Sequence, residues 1–343
     1  MKASTSSPVL SVRDLQVTVP FAGGESAAVR GVSFDLQPGE RLGLVGESGS
    51  GKSLTALALM RMLAPSLRIS SGEILLNGRD LMKLTARQMC DVRGSEIAMI
   101  YQNPMAALNP VLTIGEQIVE SIRIHFDMSR AAARKKALDL LGDVGIPDPL
   151  KRMDSYPYQL SGGMRQRIVI AMALSCDPKV IIADEPTTAL DVTTQARVLA
   201  LLRRLVDSHG TAVVLISHDL EVAAEFCDNI QVMYAGRIVE RSPSSSLFAR
   251  PLHPYAKALL DSSCVLSTDP TRPIPVIAGQ PPQPGSFPEG CAFEPRCGRS
   301  QQPCLAEDPV LSLTRGRAVA CHFPYEGGDV EGVAPVAGSA SHD

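Results

Sequence analysis

Three glycines, a lysine and three serines fall within eight positions in Gly46-Glu-Ser-Gly-Ser-Gly51-Lys52-Ser53. Glycines let successive backbone N–H groups curl round an anion, a helix beginning there adds its partial positive charge, and Lys52 supplies a full one. Ser53 can then offer its hydroxyl to Mg²⁺. The pattern G-x-x-x-x-G-K-[ST] has four fixed positions, which chance supplies in roughly one chain in a hundred of this length. Gly46, Glu47, Ser48, Gly49, Ser50, Gly51, Lys52, Ser53 and the following Leu54 are therefore a candidate phosphate-binding set.

Two carboxylates, Asp184 and Glu185, follow the apolar run Val180-Ile-Ile-Ala183. Successive side chains of a strand diverge, so the two acids can divide the work. Asp184 is placed to hold Mg²⁺ through water, Glu185 to orient and deprotonate an attacking water. His218 follows a second apolar run, Ala212 to Ser217, where an imidazole can donate a hydrogen bond to a terminal phosphate. Leu160-Ser161-Gly162-Gly163-Met164-Arg165-Gln166 opens a predicted helix and forms another ready anion site of exposed N–H groups. Read singly, these features have plainer accounts: a solvated strand end, a structural histidine, an N-cap with a glycine hinge. Gln102, in Met99-Ile-Tyr-Gln-Asn-Pro104, is by itself a loop amide. Beside the glycine loop the functional readings gain weight, and a second anion cradle in one chain needs a reason.

Such groups must be held by a sheet. Residues 9 to 45 read as two strand-rich segments with a Gly23-Gly24 turn, leading into Leu42-Gly43-Leu44-Val45, an antiparallel flap feeding a core strand. Lys52 to Met62 suits a helix, and Val180–Ala183 and Ala212–Ile216 suit buried parallel strands. The alternation gives an α/β class in which the loop, the acids and His218 share the crevice at the carboxyl ends of the strands. A mostly helical insertion is expected over about 85–175, with Ser129 capping a helix whose apolar face uses Leu138, Leu141 and Val144. Nine of the 26 prolines lie between Pro270 and Pro303, which excludes long helices there. This sets a boundary near 242, with a main domain over 1–242 and an irregular Cys- and Pro-rich domain over 243–325. Residues 326–343 are Gly, Ala, Ser and acidic residues, and are expected to be disordered.

With 33 Lys+Arg against 36 Asp+Glu, the net charge of -3 argues against nucleic acid as a partner. At 45% apolar residues the chain can bury a large core. Met1 to Val12 has one Lys and no apolar run, so neither a secretory signal nor a membrane anchor is expected to start it. The longest uncharged stretch, Ile97 to Gly115, contains Gln102, Asn103, Pro104, Asn109 and Pro110, which no bilayer would accept. Eight cysteines without an export signal point to a reducing, cytosolic setting.

Over roughly residues 9 to 242 the sequence resembles the nucleotide-binding subunits of ABC transporters. The resemblance rests on six elements in family order: the Walker A loop at 46–53, the Gln102 loop, the signature Leu-Ser-Gly-Gly-Met-Arg-Gln at 160–166, Walker B at 180–185, Ala189-Leu190-Asp191, and His218. It implies a P-loop NTPase fold with an antiparallel flap and a helical subdomain. It further implies two subunits docked head to tail around two ATP molecules, with Ser161, Gly162, Gly163 and Gln166 of one facing Walker A of the other. Asp191 would lie at the seam, and Gln102 would link the Mg²⁺ site to membrane subunits. An aromatic residue ahead of Walker A is implied to stack on adenine, for which Phe21, 25 positions before Gly46, is the candidate.

The wording of 99–117, 183–194 and Pro251-Leu-His-Pro-Tyr-Ala-Lys-Ala-Leu-Leu260 is similar to the oligopeptide and dipeptide importers of the peptide/nickel group, extending the resemblance to about Tyr325. It implies an ATPase on the cytoplasmic face of the inner membrane, paired with a similar but distinct ATPase and two permeases, and served indirectly by an extracytoplasmic binding protein. Peptides are the implied solute, with nickel, opines or glutathione as alternatives. ABC ATPases of DNA repair or translation tend to carry a coiled-coil insertion or a second ATPase half, and this sequence shows neither. A P-loop kinase or GTPase has no use for the signature.

Cys291, Cys297, Cys304 and Cys321 are separated by 5, 6 and 16 residues. A reducing cytosol disfavours disulfides. Structural Zn²⁺ prefers close C-x₂₋₄-C pairs, which are missing, whereas four thiolates can also hold an iron–sulfur cluster with more variable spacing. The spacing is similar to the cluster-binding tail of some dipeptide-importer ATPases, which implies a [4Fe-4S] site, with Zn²⁺ as the alternative.

Overall fold

The computed structural model describes residues 7–188, 190–263, 276–314 and 317–325. The alternating residues at the start of the chain build a flap. β1 (Leu10–Phe21) and β2 (Gly24–Leu36) form an antiparallel hairpin with Phe21 opposite Gly24. Leu10, Val12, Leu15 and Val17 are fully buried. The alternation slips by one at Arg13-Asp14, where the register shifts and Asp14 takes φ 44°, a bulge that keeps both halves of the strand facing the core. β4 (Arg68–Leu76) and β5 (Arg79–Asp80) complete a sheet in the order β2-β1-β4-β5.

The second sheet holds β3 (Arg41–Val45), β6 (Ile97–Ile100), β7 (Val180–Asp184), β8 (Ala212–Ser217), β9 (Asn229–Tyr234), β10 (Arg237–Pro243), β11 (Ser312–Thr314) and β12 (Arg317–Val319), in the order β11-β12-β10-β9-β3-β8-β7-β6. From β9 to β6 the neighbours are parallel; β10, β12 and β11 are added antiparallel. On β7, Ile181 and Ala183 face a core shared with the helical segments, while Val180 and Ile182 face a core shared with the flap. Both faces are covered, which is why the central strands are continuously apolar instead of alternating.

Ser129 caps the helix Arg130–Asp143, its Oγ accepting from the Ala132 amide at 3.2 Å. Leu141 and Val144 are buried on its inner side, and Leu138 packs at the rim of the same core. The 85–175 insertion is mostly helical and includes one strand. Its four residues Ile97–Ile100 form β6, paired parallel to β7, because a run that short carries no period to separate strand from helix. The expected boundary near 242 falls inside β10, and β12 pairs with β10, so the C-terminal segment extends the main sheet. The helix after the glycine loop ends at Leu59, short of Met62, with Arg61 at φ 50°. The tail at 326–343 lies outside the described residues.

The join between β10 and β12 is electrostatic at its centre. Glu240 has 0% exposure and accepts from the amides of Leu252 (3.0 Å) and His253 (2.7 Å), from Ser242 Oγ (3.1 Å), and from Arg317 of β12. Burial pushes the Glu240 carboxyl up, against the opposing pull of the His253 amide and Arg317. Removing one member of a buried pair strands the other. Arg317→Ala is expected to lower the urea-unfolding free energy by about 3 kcal/mol. Arg68→Ala, which breaks an exposed pair with Glu25, should leave it unchanged within error. Equal effects in the two variants would contradict the role given to the buried pair.

Candidate nucleotide site

β3 ends at Val45, and Gly46–Gly51 turn the chain into the helix Lys52–Leu59, with Gly51 as its N-cap. A Cβ at Gly46 would lie 2.2 Å from the Met233 carbonyl oxygen; at Gly51 it would lie 2.9 Å from that of Ala28. The loop is glycine-rich because neighbouring strands press on it, and Gly51 also sits at φ 103°. Ser50 is tied to the sheet through its carbonyl, which accepts from the Gly236 amide at 2.9 Å. Ser48 and Gly49 form the exposed rim, and Leu54 packs towards the flap. Lys52 is 5% exposed, with Nζ donating to Gly46 O (2.7 Å) and Glu47 O (2.8 Å). Burial pushes its pKa down, opposed by Glu185, Asp184 and Glu47. A buried cation beside a helix N-terminus is a strong anion site.

Parallel pairing of β3, β8 and β7 brings Val45 opposite Ser217 and Asp184 opposite Ile216, so the two acids and His218 emerge at the edge that carries the loop. Ser53 Oγ donates to Asp184 Oδ1 at 3.1 Å, and burial pushes the Asp184 carboxyl up. Glu185 turns away from the strand at φ 45°, a strained value for a side chain of this kind. Its carboxylate receives Gln102 Nε2 at 2.9 Å and Thr188 Oγ1 at 2.8 Å, and lies 3.1 Å from His218 Nδ1. Burial alone would raise Glu185, but the Thr188 and His218 hydrogen bonds and the charges of His218 and Lys52 hold it below the usual range. Adjacent carboxyls are thus driven in opposite directions by their surroundings, and Glu185 is the one whose carboxylate is held in place by three side chains. Thr188 carries no local sequence signal; His218, expected to reach a terminal phosphate, stands at the same edge with its ring against Glu185.

The second cradle lies elsewhere. Ser161 caps the helix Gly162–Leu174, its Oγ accepting from the Met164 amide at 3.3 Å. Asp191 caps the helix Val192–His209, accepting from the Thr194 amide at 3.0 Å. Ser161, Gly162, Gly163, Asp191 and Thr194 line one open cavity, and none of its lining residues belongs to 46–53. Gln166 is buried a turn further along, and its Nε2 has no partner among the described residues.

Residues 29–188 match the family described as ABC transporter, and residues 239–304 match the oligopeptide/dipeptide transporter C-terminal region. The chain is 49% identical over 314 residues to a putative peptide import ATP-binding protein of Brucella abortus (strain 2308), spanning 92% of this chain and 94% of that one. It is 45% identical over 318 residues to the oligopeptide transport ATP-binding protein OppD of Escherichia coli (strain K12), spanning 93% and 94%.

The chain belongs to the ABC transporter ATPases.

Among solved structures, this ABC ATPase is similar to the dimeric post-hydrolysis state of the ATP-binding cassette MJ0796 bound to ADP and Pi, with TM-score 0.62 and 27% identity over 68% of this chain and 98% of that one. It is also similar to cbiO1 from Clostridium perfringens, part of the ABC transporter complex cbiONQ, with TM-score 0.61 and 25% identity over 71% and 92%. Among the described residues of the ABC ATPase, no helix is long and apolar enough to cross a membrane.

The C-terminal segment of this ABC ATPase returns to the nucleotide loop. Arg296 pairs with Glu47, and the Tyr255 hydroxyl accepts the Glu47 amide, two contacts with no local sequence signal. Phe21 closes the β1–β2 hairpin with its ring against Gly23 and Gly285, so the expected adenine-stacking side chain is in contact with the C-terminal segment. Cys291, Cys297, Cys304 and Cys321 line one narrow cavity. The backbone amides of Phe293, Arg299 and Phe323 pull the Cys291, Cys297 and Cys321 thiols down, against the larger effect of burial. Burial pushes the Cys291 thiol up to about 11 and the Cys321 thiol up to about 12. Among the described residues no group of three or more His, Cys, Asp or Glu is gathered to hold a single metal ion.

Gly46→Ala forces a Cβ into the Met233 carbonyl, whereas a Cβ at Gly49, at φ 81°, meets nothing within 4 Å. Strain of about 1–3 kcal/mol corresponds to ATP binding about tenfold to a hundredfold weaker for Gly46→Ala. Gly49→Ala should sit at the mild end, and titration with a fluorescent ATP analogue measures both. The reverse order would mean that crowding at Met233 does not shape the loop.

Proposed function

We propose that this ATPase drives uptake of peptides through two partner permeases, from a position on the cytoplasmic face of the membrane. The observation that carries the reading is the separation of the two anion cradles: a loop at 46–53, and a cavity at Ser161–Gly163 and Asp191 that shares no lining residue with it. One chain then supplies two unlike half-sites, which two subunits docked head to tail would complete. The dimeric form of the related cassette supports such docking, and the peptide-import relatives together with the oligopeptide/dipeptide C-terminal region support the solute. A similar but distinct second ATPase is the proposed partner, with an extracytoplasmic binding protein delivering the solute.

In this reading Lys52 and the amides of Gly49–Ser53 bind the phosphates, the signature residues close on them from the partner, and Phe21 stacks on adenine. Ser53 and Asp184, already in contact at 3.1 Å, offer the hard oxygen ligands that suit Mg²⁺, with Gln102 near by. Mg²⁺ neutralises phosphate charge when bound. Glu185, ionised and oriented by Gln102, Thr188 and His218, takes the proton of the attacking water. ATP binding closes the dimer and moves the permeases; hydrolysis resets them.

We assign the four-cysteine cavity to a [4Fe-4S] cluster. Four thiolates could hold either a cluster or zinc, and the spacing of these four lacks the close pairs that structural zinc prefers. A four-iron cluster spreads its ligands more widely, and the four cysteines lining one narrow cavity would supply its ligands. Anaerobically purified protein should be brown and contain iron and sulfide; colourless protein with stoichiometric zinc would reverse the assignment.

Reconstitution with the neighbouring permeases and binding protein tests the function. Peptides should stimulate ATP hydrolysis, and Glu185→Gln should cut turnover about a hundredfold or more while ATP still binds. Stimulation by nickel chelates but not by peptides would overturn the solute, and normal hydrolysis by Glu185→Gln would remove Glu185 as base.

A further inference from the structure

Glu47, the second residue of the phosphate loop, is gripped from the C-terminal segment. Arg296 has 4% of its side chain exposed. Nη1 donates to Glu47 Oε2 at 2.7 Å and Tyr234 Oη at 3.2 Å, Nη2 to Glu47 Oε1 at 2.9 Å and Ile277 O at 3.3 Å, and Nε to Ala278 O at 2.8 Å. All the donors of the guanidinium are thereby used. A bidentate pair of this kind fixes the plane of the carboxylate as well as its position.

Tyr255 acts on the backbone of the same residue. It is fully buried, its ring 4.5 Å from that of Tyr234 and 5.3 Å from that of Phe293, and its hydroxyl accepts the Glu47 amide at 2.7 Å. In a trans peptide the N–H and C=O point in opposite directions. The Gly46–Glu47 peptide directs its N–H outward to Tyr255 and its C=O inward to Lys52 Nζ, at 2.7 Å. A hydroxyl outside the loop thus sets the carbonyl that holds the lysine inside it.

We propose that Arg296 and Tyr255 are positioning residues for the ATPase reaction: by fixing Glu47 they orient the Gly46–Glu47 peptide and place Lys52 where it meets phosphate. The proposal concerns nucleotide binding alone and holds whatever solute is carried. Neither residue touches the reacting atoms, so their loss should fall on ATP affinity and KM more than on kcat.

Fluorescent-ATP titration and steady-state kinetics on the full chain test this. Arg296→Gln and Glu47→Gln should each weaken ATP binding about tenfold, and the double variant should bind no worse than either single one. Tyr255→Phe keeps the ring and its packing, removes only the acceptor, and should weaken binding about threefold. For Arg296→Gln and Tyr255→Phe the change should appear in KM. Unchanged affinity in Glu47→Gln and Tyr255→Phe, whatever the melting temperature, would overturn the proposal, as would additive losses in the double variant. If Arg296→Gln fails to fold, Glu47→Gln and Tyr255→Phe decide the matter by themselves.

Discussion

Parallel hydrogen bonding among β3, β8 and β7 is the constraint on which the chemistry depends. Because Val45 is opposite Ser217 and Asp184 is opposite Ile216, three segments far apart in sequence end at one edge and in step. A shift of one residue in any of them would turn its last side chain to the other face of the sheet. The buried, two-sided apolar packing of these strands prevents such a shift. The hydrophobic pattern of the core therefore fixes the distance between Lys52, Asp184 and Glu185.

At that edge the buried polar groups lean on one another. Lys52 is buried beside two acids, Asp184 leans on Ser53, and Glu185 is held by three side chains at a strained φ of 45°. The strain and the crowding belong together: neighbours that over-determine the Glu185 position are what keep a left-handed glutamate in place. The second anion cradle is simpler, two helix starts with capping side chains facing open space.

Much of this was legible because the informative residues are contiguous. The glycine loop, the Asp-Glu pair and the signature each carry their chemistry within a few positions, and the capped helix at Ser129 is equally local. β6 was not legible, since four apolar residues inside a helix-rich stretch have no period of their own. The pairing of β10 with β12 across the expected boundary was not legible either, because proline content marks irregular backbone and says nothing about strand pairing. Arg296 and Tyr255 were beyond reach for another reason: each looks ordinary beside its own neighbours, and only the three-dimensional path brings them to Glu47. His218 was placed at the correct edge, but geometry, not sequence, set its ring against Glu185.

Glu47 and Arg296 are 249 residues apart in the chain. At about 5–20 residues per second, a ribosome takes roughly 10–50 s to make the second after the first. For that interval the nascent protein carries its nucleotide loop without the outer grip; β10, made later, in turn presents a bare edge until β12 follows. The first motif to be translated therefore waits for its grip on a residue near the far end of the chain.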